Sequence, residues 1–267
     1  MSLVPLDKEI AIKKISIDCM DALSQAIKGN CLYFASDDSN VSVDFGLVRP
    51  EKMSYEEDSR YEIIHNLIEK AAGWSKFPKR QTAIITSTSS VPMDRKNKVF
   101  IVLPKNGTKL GVCSDDDYYS SFNKLETLFD VQDAYDFEEE LKELLQCVHK
   151  FVHDKEMEEF EQADIEQCCK MFDNIMKALK GSYDFKQFYE TTTNKKLTKW
   201  QKNTPLYQKI IQGLDPELNG FEVKSIRDLK KQKNKEVWFS SECYIITKEL
   251  FAELIDSGKL AHITEDV

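Results

Sequence analysis

The sequence predicts an α+β protein in which a mixed, mostly antiparallel sheet is interrupted by an acidic helical insertion. Short runs of strand-forming residues occur before residue 113 and again after residue 220. Residues 115–190 show no strand pattern, and their apolar residues recur at helical spacing. A chain of 267 residues is long enough for one large domain or two small ones, and it easily buries a core.

The composition is that of a soluble globular chain, with 41% hydrophobic and 31% charged residues. The net charge of -9 argues against a nucleic-acid binder that depends on overall basicity. No apolar run reaches membrane-spanning length, and the N-terminal residues lack the apolar core of a signal peptide. Seven cysteines are scattered without a CxxC pair, so neither a disulfide framework nor a zinc ribbon is expected, and a reducing compartment is favoured.

The first 113 residues alternate between helix and strand patterns. A helix is predicted over residues 7–28, where apolar residues lie on one loosely helical face and Gly29 follows as a C-cap. A second helix is predicted over residues 54–73, with Ser54 as its N-cap. Clustered or alternating apolar residues predict strands at 31–35, 41–49, 83–90, 99–103 and 109–113, with a hairpin turn at 104–107.

The second part of the chain begins with helices. Apolar residues at helical spacing predict one helix around 141–152 and another around 165–179, which Gly181 ends. A mixed connector follows at 191–229. Two strands at 236–239 and 243–247 and a terminal helix at 247–255 complete the chain. The patterns divide the chain into a first half of the core with its N-terminal helix (1–113), a helical insertion (114–190), and a connector with the second half of the core (191–267).

Three polar groups stand at the ends of predicted strands. Arg49 closes the strand at 41–49, a run of hydroxyl side chains at 87–89 closes the strand at 83–90, and Glu236 opens the strand at 236–239. A side chain at a strand end is held in place by rigid backbone, and it can still point into a cleft. Taken alone, Glu236 is interpreted as a solvated strand-end residue, and the two upstream groups are what favour a site.

The order Arg…Ser-Thr-Ser…Glu resembles the signature of the cholera-toxin-like class of mono-ADP-ribosyltransferases, which includes bacterial effectors and phage enzymes. In that class an arginine closes the first strand, a Ser-Thr-Ser run closes a later strand, and a catalytic glutamate begins another. The resemblance covers roughly residues 30–113 and 220–250. It implies a split β-sheet core with the helical block inserted between its halves.

The resemblance also implies a reaction and a role for each residue. NAD would be the substrate, and ADP-ribose would pass to a protein side chain with release of nicotinamide. Glu236 would hydrogen-bond the ribose hydroxyl and stabilise the developing positive charge. Arg49 would hold the phosphates of NAD. Ser87 would fix the rotamer of Glu236, while Thr88 and Ser89 would shape the backbone around the nicotinamide ribose.

The chain departs from the family pattern at two positions. Asn234, in the implied acceptor loop, stands where arginine-modifying members carry a glutamate two residues before the catalytic one. This difference argues against arginine as the modified side chain. Phe34 stands where one version of the first-strand arginine would be, so Arg60 and Arg80 are alternatives to Arg49.

Partners and alternatives follow from the same resemblance. An effector would act on a protein acceptor inside a host cell after secretion without a cleavable signal peptide; otherwise a cytoplasmic protein is expected, with no transmembrane segment and no nucleic-acid partner. The alternative functions are an NAD glycohydrolase that uses the same three residues, and a non-catalytic module whose helical block binds a partner. No metal is expected, because His149 and His153 lie at a metal-compatible spacing without an HExxH glutamate and are interpreted as solvated.

Overall fold

In the part of the chain that the structure describes, nine strands form a single antiparallel sheet. The computed structural model describes residues 2–36, 43–50, 61–90, 98–125, 131, 133–155, 162–197, 204–230 and 234–260. Eight helices occur within these residues, so the predicted α+β class is confirmed. The sheet is antiparallel throughout its described pairings, whereas the sequence predicted a mixed one.

The strands lie in an order that differs strongly from their order along the chain. Their bounds are β1 (Ser2–Pro5), β2 (Leu32–Ser36), β3 (Phe45–Arg49), β4 (Ile84–Ser87), β5 (Lys98–Pro104), β6 (Lys109–Val112), β7 (Glu222–Ser225), β8 (Glu236–Phe239) and β9 (Cys243–Thr247). Across the sheet they follow the order β1-β3-β9-β5-β2-β4-β8-β6-β7. Of the three strands that come late in the chain, β8 and β9 lie between strands from its first half, and β7 lies at the edge.

The strand pairing is shortest between β2 and β4. β2 pairs with β5 over five residues, and β4 pairs with β8 over four. Between β2 and β4, Tyr33 opposite Ser87 is the one aligned pair among the described residues. The sheet thus consists of two well-paired halves that meet at this pair.

The described helices are α1 (Lys8–Asp18), α2 (Met20–Ile27), α3 (Glu62–Lys70), α4 (Ala134–His153), α5 (Gln162–Lys177), α6 (Leu179–Thr193), α7 (Leu206–Gly213) and α8 (Lys248–Asp256). None of them combines the length and the apolar character that crossing a bilayer requires. The predicted N-cap Ser54 lies outside the described residues. α3 is the part of the predicted 54–73 helix that the structure describes as α-helix.

The predicted helix at 7–28 is in fact two helices. Asp7 caps α1 by accepting the backbone N–H groups of Glu9 and Ile10. The helix breaks at Cys19, where φ is -130°, and the Cys19 thiol donates to the carbonyl of Leu103 at 3.2 Å. Because this bond ties the break to β5, both helices contribute buried side chains to the core on the sheet.

The chain divides into two compact units. The sheet unit comprises Met1–Tyr55, Lys76–Tyr118 and Phe221–Val267, and it includes all nine strands with α1, α2 and α8. The helical unit comprises Glu56–Ser75 and Tyr119–Gly220. The helical region is thus longer than the insertion predicted at 114–190, and it also takes in α3 from the first half of the chain.

The helical unit buries most of the apolar faces that the periodicity predicted, but Val152, predicted on the first face, is 45% exposed. Gly181, predicted to end a helix, lies within α6 instead, because the chain is extended at Ala178 (ψ 121°) and a new helix starts directly after it. α7 lies in the predicted connector, and the carboxylate of Asp173 accepts its first backbone N–H, that of Leu206, at 3.1 Å. The buried residues of the predicted faces are Leu141, Leu144, Leu145, Val148, Ile165, Cys168, Cys169 and Phe172.

Candidate functional site

Ser87 and Glu236 lie side by side on neighbouring strands. Ser87 is the last residue of β4, Glu236 is the first residue of β8, and the register pairs them directly. Directly opposed residues of an antiparallel pair point to the same face of the sheet. The structure therefore brings together the hydroxyl run and the carboxylate, although 149 residues separate them along the chain.

Hydrogen bonds fasten the end of β4 to the residues that precede Glu236. The backbone N–H of Thr88 donates to the Lys235 carbonyl at 2.9 Å, and the Lys235 N–H donates to the Thr88 hydroxyl at 2.9 Å. The Ser89 hydroxyl donates to the Asn234 side-chain oxygen at 2.6 Å. Asn234 has φ of 46°, a left-handed conformation that asparagine tolerates better than most residues. These contacts fix both Thr88 and Asn234, the residue of the implied acceptor loop, relative to the strand end.

The backbone of Glu236 is held from both sides. Its N–H donates to the carbonyl of Asp116 at 3.1 Å, and its carbonyl accepts the N–H of Cys113 at 3.0 Å. The Ser87 hydroxyl accepts the N–H of Ser89 at 3.2 Å, and among the described residues it makes no hydrogen bond to Glu236. The rotamer of Glu236 is therefore set by another partner.

That partner is Arg80. Its Nη1 lies 2.5 Å from Oε1 of Glu236, and the two side chains are only 13% and 16% exposed. The guanidinium also lies over the ring of Tyr118, 4.1 Å from its centre, and 5.6 Å from that of Trp238. Burial alone would lower the pKa of Arg80, but the Glu236 carboxylate, together with Tyr118 and Cys113, outweighs burial and raises that pKa above its ordinary value. The pair is thus a shielded guanidinium–carboxylate contact resting on aromatic rings.

Trp238 forms the base of this arrangement. It lies two residues beyond Glu236 on the same face of β8, it is fully buried, and its indole N–H donates to the Pro78 carbonyl at 2.9 Å. Its ring packs directly on Gly111 of β6, where an added Cβ would lie 2.3 Å from the indole. Phe77 stacks on it with ring centres 6.1 Å apart. A rigid aromatic layer therefore lies beneath the charged pair.

Arg49 lies elsewhere in the sheet. It is the last residue of β3, its side chain is 56% exposed, and its Nε donates to Glu242 at 2.9 Å. Lys105 contacts the other oxygen of Glu242 at 2.5 Å. β3 is four steps from β4 in the sheet, roughly 19 Å at about 4.8 Å per step. The structure does not bring Arg49 to Ser87.

Of the two alternative arginines, Arg80 is the one at the site, and Arg60 lies outside the described residues. Arg80 belongs to a short 3-10 turn, Arg80–Thr82, directly before β4. The signal in the sequence was its position just upstream of the strand that carries the hydroxyl run. Tyr118 gave no such signal, because its contact with Arg80 depends on the tertiary fold.

The histidine pair at 149 and 153 and the buried Glu138 all lie on α4. The ring centres of His149 and His153 are 4.8 Å apart on α4, and the described residues contain no group of three possible metal ligands. Glu138, fully buried, accepts the N–H groups of Ile63 and Ile64 at 2.7 and 3.0 Å at the start of α3. Residues 138–140 thus lie within α4, and one of them, Glu138, caps another helix.

Comparison of the chain with protein-family models, with curated proteins and with solved structures finds no match. Functional assignment therefore depends on the chain's own residues and their geometry.

Proposed function

We propose that this chain is an NAD-dependent mono-ADP-ribosyltransferase that modifies a protein. One observation carries the proposal: the Ser-Thr-Ser strand end and the strand-opening glutamate are direct neighbours on one face of the sheet, with a shielded arginine on the carboxylate. The narrow junction at Tyr33 and Ser87 adds support, because the resemblance implied a split sheet.

The reaction proposed for this site is a substitution at C1′ of the nicotinamide ribose. The bond between C1′ and the pyridinium nitrogen breaks, and its electron pair leaves with nicotinamide. A nucleophilic atom of the acceptor protein bonds to C1′ and loses a proton. Because C1′ becomes oxocarbenium-like on the way, a fixed carboxylate beside the ribose lowers the barrier. Glu236 is the carboxylate proposed for that role.

Arg80 is the residue proposed to bind the phosphates of NAD, the role that the resemblance implied for Arg49. A guanidinium carries five N–H donors in a planar fork, so it can retain one contact to Glu236 while it binds a phosphate oxygen of NAD. Its charge persists at every working pH, since its pKa is raised. Tyr118 supports the guanidinium from below. Arg80 would therefore orient both the substrate and the carboxylate.

The acceptor proposed is a protein side chain other than arginine, in a host cell if the chain is a secreted effector. The oxygen of Asn234 already accepts the Ser89 hydroxyl, and an amide cannot act as a base towards a guanidinium. The resemblance assigns acceptor recognition to the lysine-rich loop at 230–233, before Glu236, of which residues 231–233 lie outside the described residues.

The test is incubation of the protein with labelled NAD and host-cell lysate. We expect label on protein and release of nicotinamide, and Glu236→Gln should lower the rate about 100- to 1000-fold, the usual effect of removing one transition-state stabiliser. Glu242→Gln is the matched control, because Glu242 is also a partly exposed, ion-paired glutamate in the sheet unit. Equal rates for the Glu236 variant and the wild type would exclude the proposed role.

Two alternatives are separated by the same assay. Free ADP-ribose without labelled protein would indicate an NAD glycohydrolase, which uses the same residues with water as the acceptor. A non-catalytic module is favoured by one observation, namely that the Glu236 Oε1 atom is fully shielded and engaged by Arg80. Intact NAD in all samples would support that function.

A further inference from the structure

A third side chain lies in the same row as Ser87 and Glu236. Tyr33 of β2 is directly opposite Ser87, which is directly opposite Glu236. Opposed residues share a face of the sheet, so the three side chains project on the same side of three adjacent strands. Neighbouring Cα atoms in such a row are about 4.5–5.5 Å apart, which puts Tyr33 within about 10 Å of Glu236.

The strand beside the hydroxyl run therefore presents a tyrosine on the face shared with Glu236, whereas Phe34, where the resemblance places an arginine, lies on the other face. β2 reads Leu32–Ser36 and contains no basic residue. Leu32 and Phe34 alternate with Tyr33 and point to the other face. Tyr33 and Ala35 share the face of Glu236, and Tyr33 is the one directly opposite Ser87.

The chemistry of Tyr33 differs from that of a guanidinium. The side chain is half-buried, and it offers a flat ring and one hydroxyl. Burial, together with the hydrogen bond to Cys31, raises the pKa of Tyr33 to about 12, so the hydroxyl remains neutral. A neutral phenol suits a sugar hydroxyl, a carboxamide or an aromatic ring, and it gives no charge attraction for phosphate.

We propose that Tyr33 is a substrate-binding residue that contacts the nicotinamide riboside end of NAD, next to Glu236. This inference rests on the proposed function. It assigns phosphate binding to Arg80, in place of the first-strand arginine, and nicotinamide recognition to Tyr33.

The experiment measures inhibition of NAD cleavage by two fragments of the substrate. Free nicotinamide reports on the riboside end, and ADP reports on the phosphate end. We expect Tyr33→Leu to weaken inhibition by nicotinamide and to raise KM for NAD about tenfold, the effect of losing one good contact. Inhibition by ADP should change less than about twofold. A purely structural role would weaken both inhibitors alike, or lower only kcat.

Controls make each outcome decisive. Tyr33→Phe keeps the ring in place and should lose only part of the nicotinamide affinity; it also replaces the leucine variant if that variant does not fold. Tyr183→Leu is the matched control, because Tyr183 lies in the helical unit and is 70% exposed. If the wild type cleaves NAD and both Tyr33 variants keep wild-type inhibition by nicotinamide, the assignment of Tyr33 fails alone. If the wild type neither binds nor cleaves NAD, both the proposed function and the assignment of Tyr33 are wrong.

Discussion

At the scale of single residues, the contact between Arg80 and Glu236 gives a strong prediction. Both side chains are more than four-fifths shielded, so removal of either leaves a charge without its partner in a poorly solvated place. We expect Arg80→Met to lower the free energy of unfolding of the sheet unit by about 3–5 kcal/mol. The double variant Arg80→Met/Glu236→Gln should cost clearly less than the sum of the single changes. Urea denaturation of the four proteins measures this coupling.

The matched control for that cycle is Arg49→Met. The Arg49 side chain is 56% exposed and pairs with Glu242 in solvent, where an ion pair contributes no more than about 1 kcal/mol. Arg49→Met should also leave NAD cleavage intact, while Arg80→Met should abolish it. Loss of cleavage in the Arg49 variant at normal stability would restore the role that the sequence suggested for Arg49.

The pH dependence of stability should also show the ion pairs of Glu242. The hydrogen bond from Lys105, helped by Arg49, lowers the pKa of Glu242 below its ordinary value. A carboxylate with a depressed folded-state pKa stabilises the fold above its unfolded pKa, near 4.3, and this contribution is lost as pH falls through the folded value. Glu242→Gln should therefore cost up to about 1 kcal/mol at pH 7 and progressively less as pH falls below about 4.3. An effect that grows in acid would contradict this explanation.

At the scale of elements, Glu138 links two helices of the helical unit. It lies on α4, is fully buried, and accepts two backbone N–H groups at the start of α3. Those groups have no partner within their own helix, and the positive end of the helix dipole favours a carboxylate there. Glu138→Leu should destabilise the helical unit by about 2–4 kcal/mol, with Glu138→Gln in between. Thermal unfolding gives the stability, and hydrogen exchange at Ile63 and Ile64 locates the loss.

Glu139→Gln is the control for the capping prediction. Glu139 is the next residue along α4 and is exposed, so its substitution should change the free energy of unfolding by less than about 0.5 kcal/mol. Faster exchange at Ile63 and Ile64 in this variant would show that the effect is not specific to the cap.

The elements also show how far the sequence determines this fold. Strand and helix patterns located most elements, and the strand ends singled out Ser87 and Glu236, because alternation and turn residues are local signals. The sheet order is not local: β8 and β9 come from the last part of the chain and pair with strands from the first. Arg49 was selected because it ends a strand, but the pairing of β3 with β1 and β9 sets it apart from β4. Arg80 reaches Glu236 only in the folded sheet unit.

At the scale of the whole molecule, the two compact units predict two unfolding events. Each unit has its own buried core, and each is assembled from separate stretches of the chain. Stabilities that differ between units give separate transitions in denaturant, and a single two-state curve then fails. Glu138→Leu should shift the transition of the helical unit, and Arg80→Met that of the sheet unit.

The cysteines can report which unit unfolds first. All seven are buried: Cys19, Cys31, Cys113 and Cys243 lie in the sheet unit, and Cys147, Cys168 and Cys169 lie in the helical unit. Burial raises the pKa of Cys19 to about 12 and those of Cys147 and Cys168 to about 11, so the native thiols are shielded and protonated. Pulsed alkylation at increasing urea should modify three thiols as one group and four as another, as counted by mass spectrometry. Modification of all seven at one urea concentration, in the wild type and in both variants, would show that the chain unfolds as a single cooperative unit.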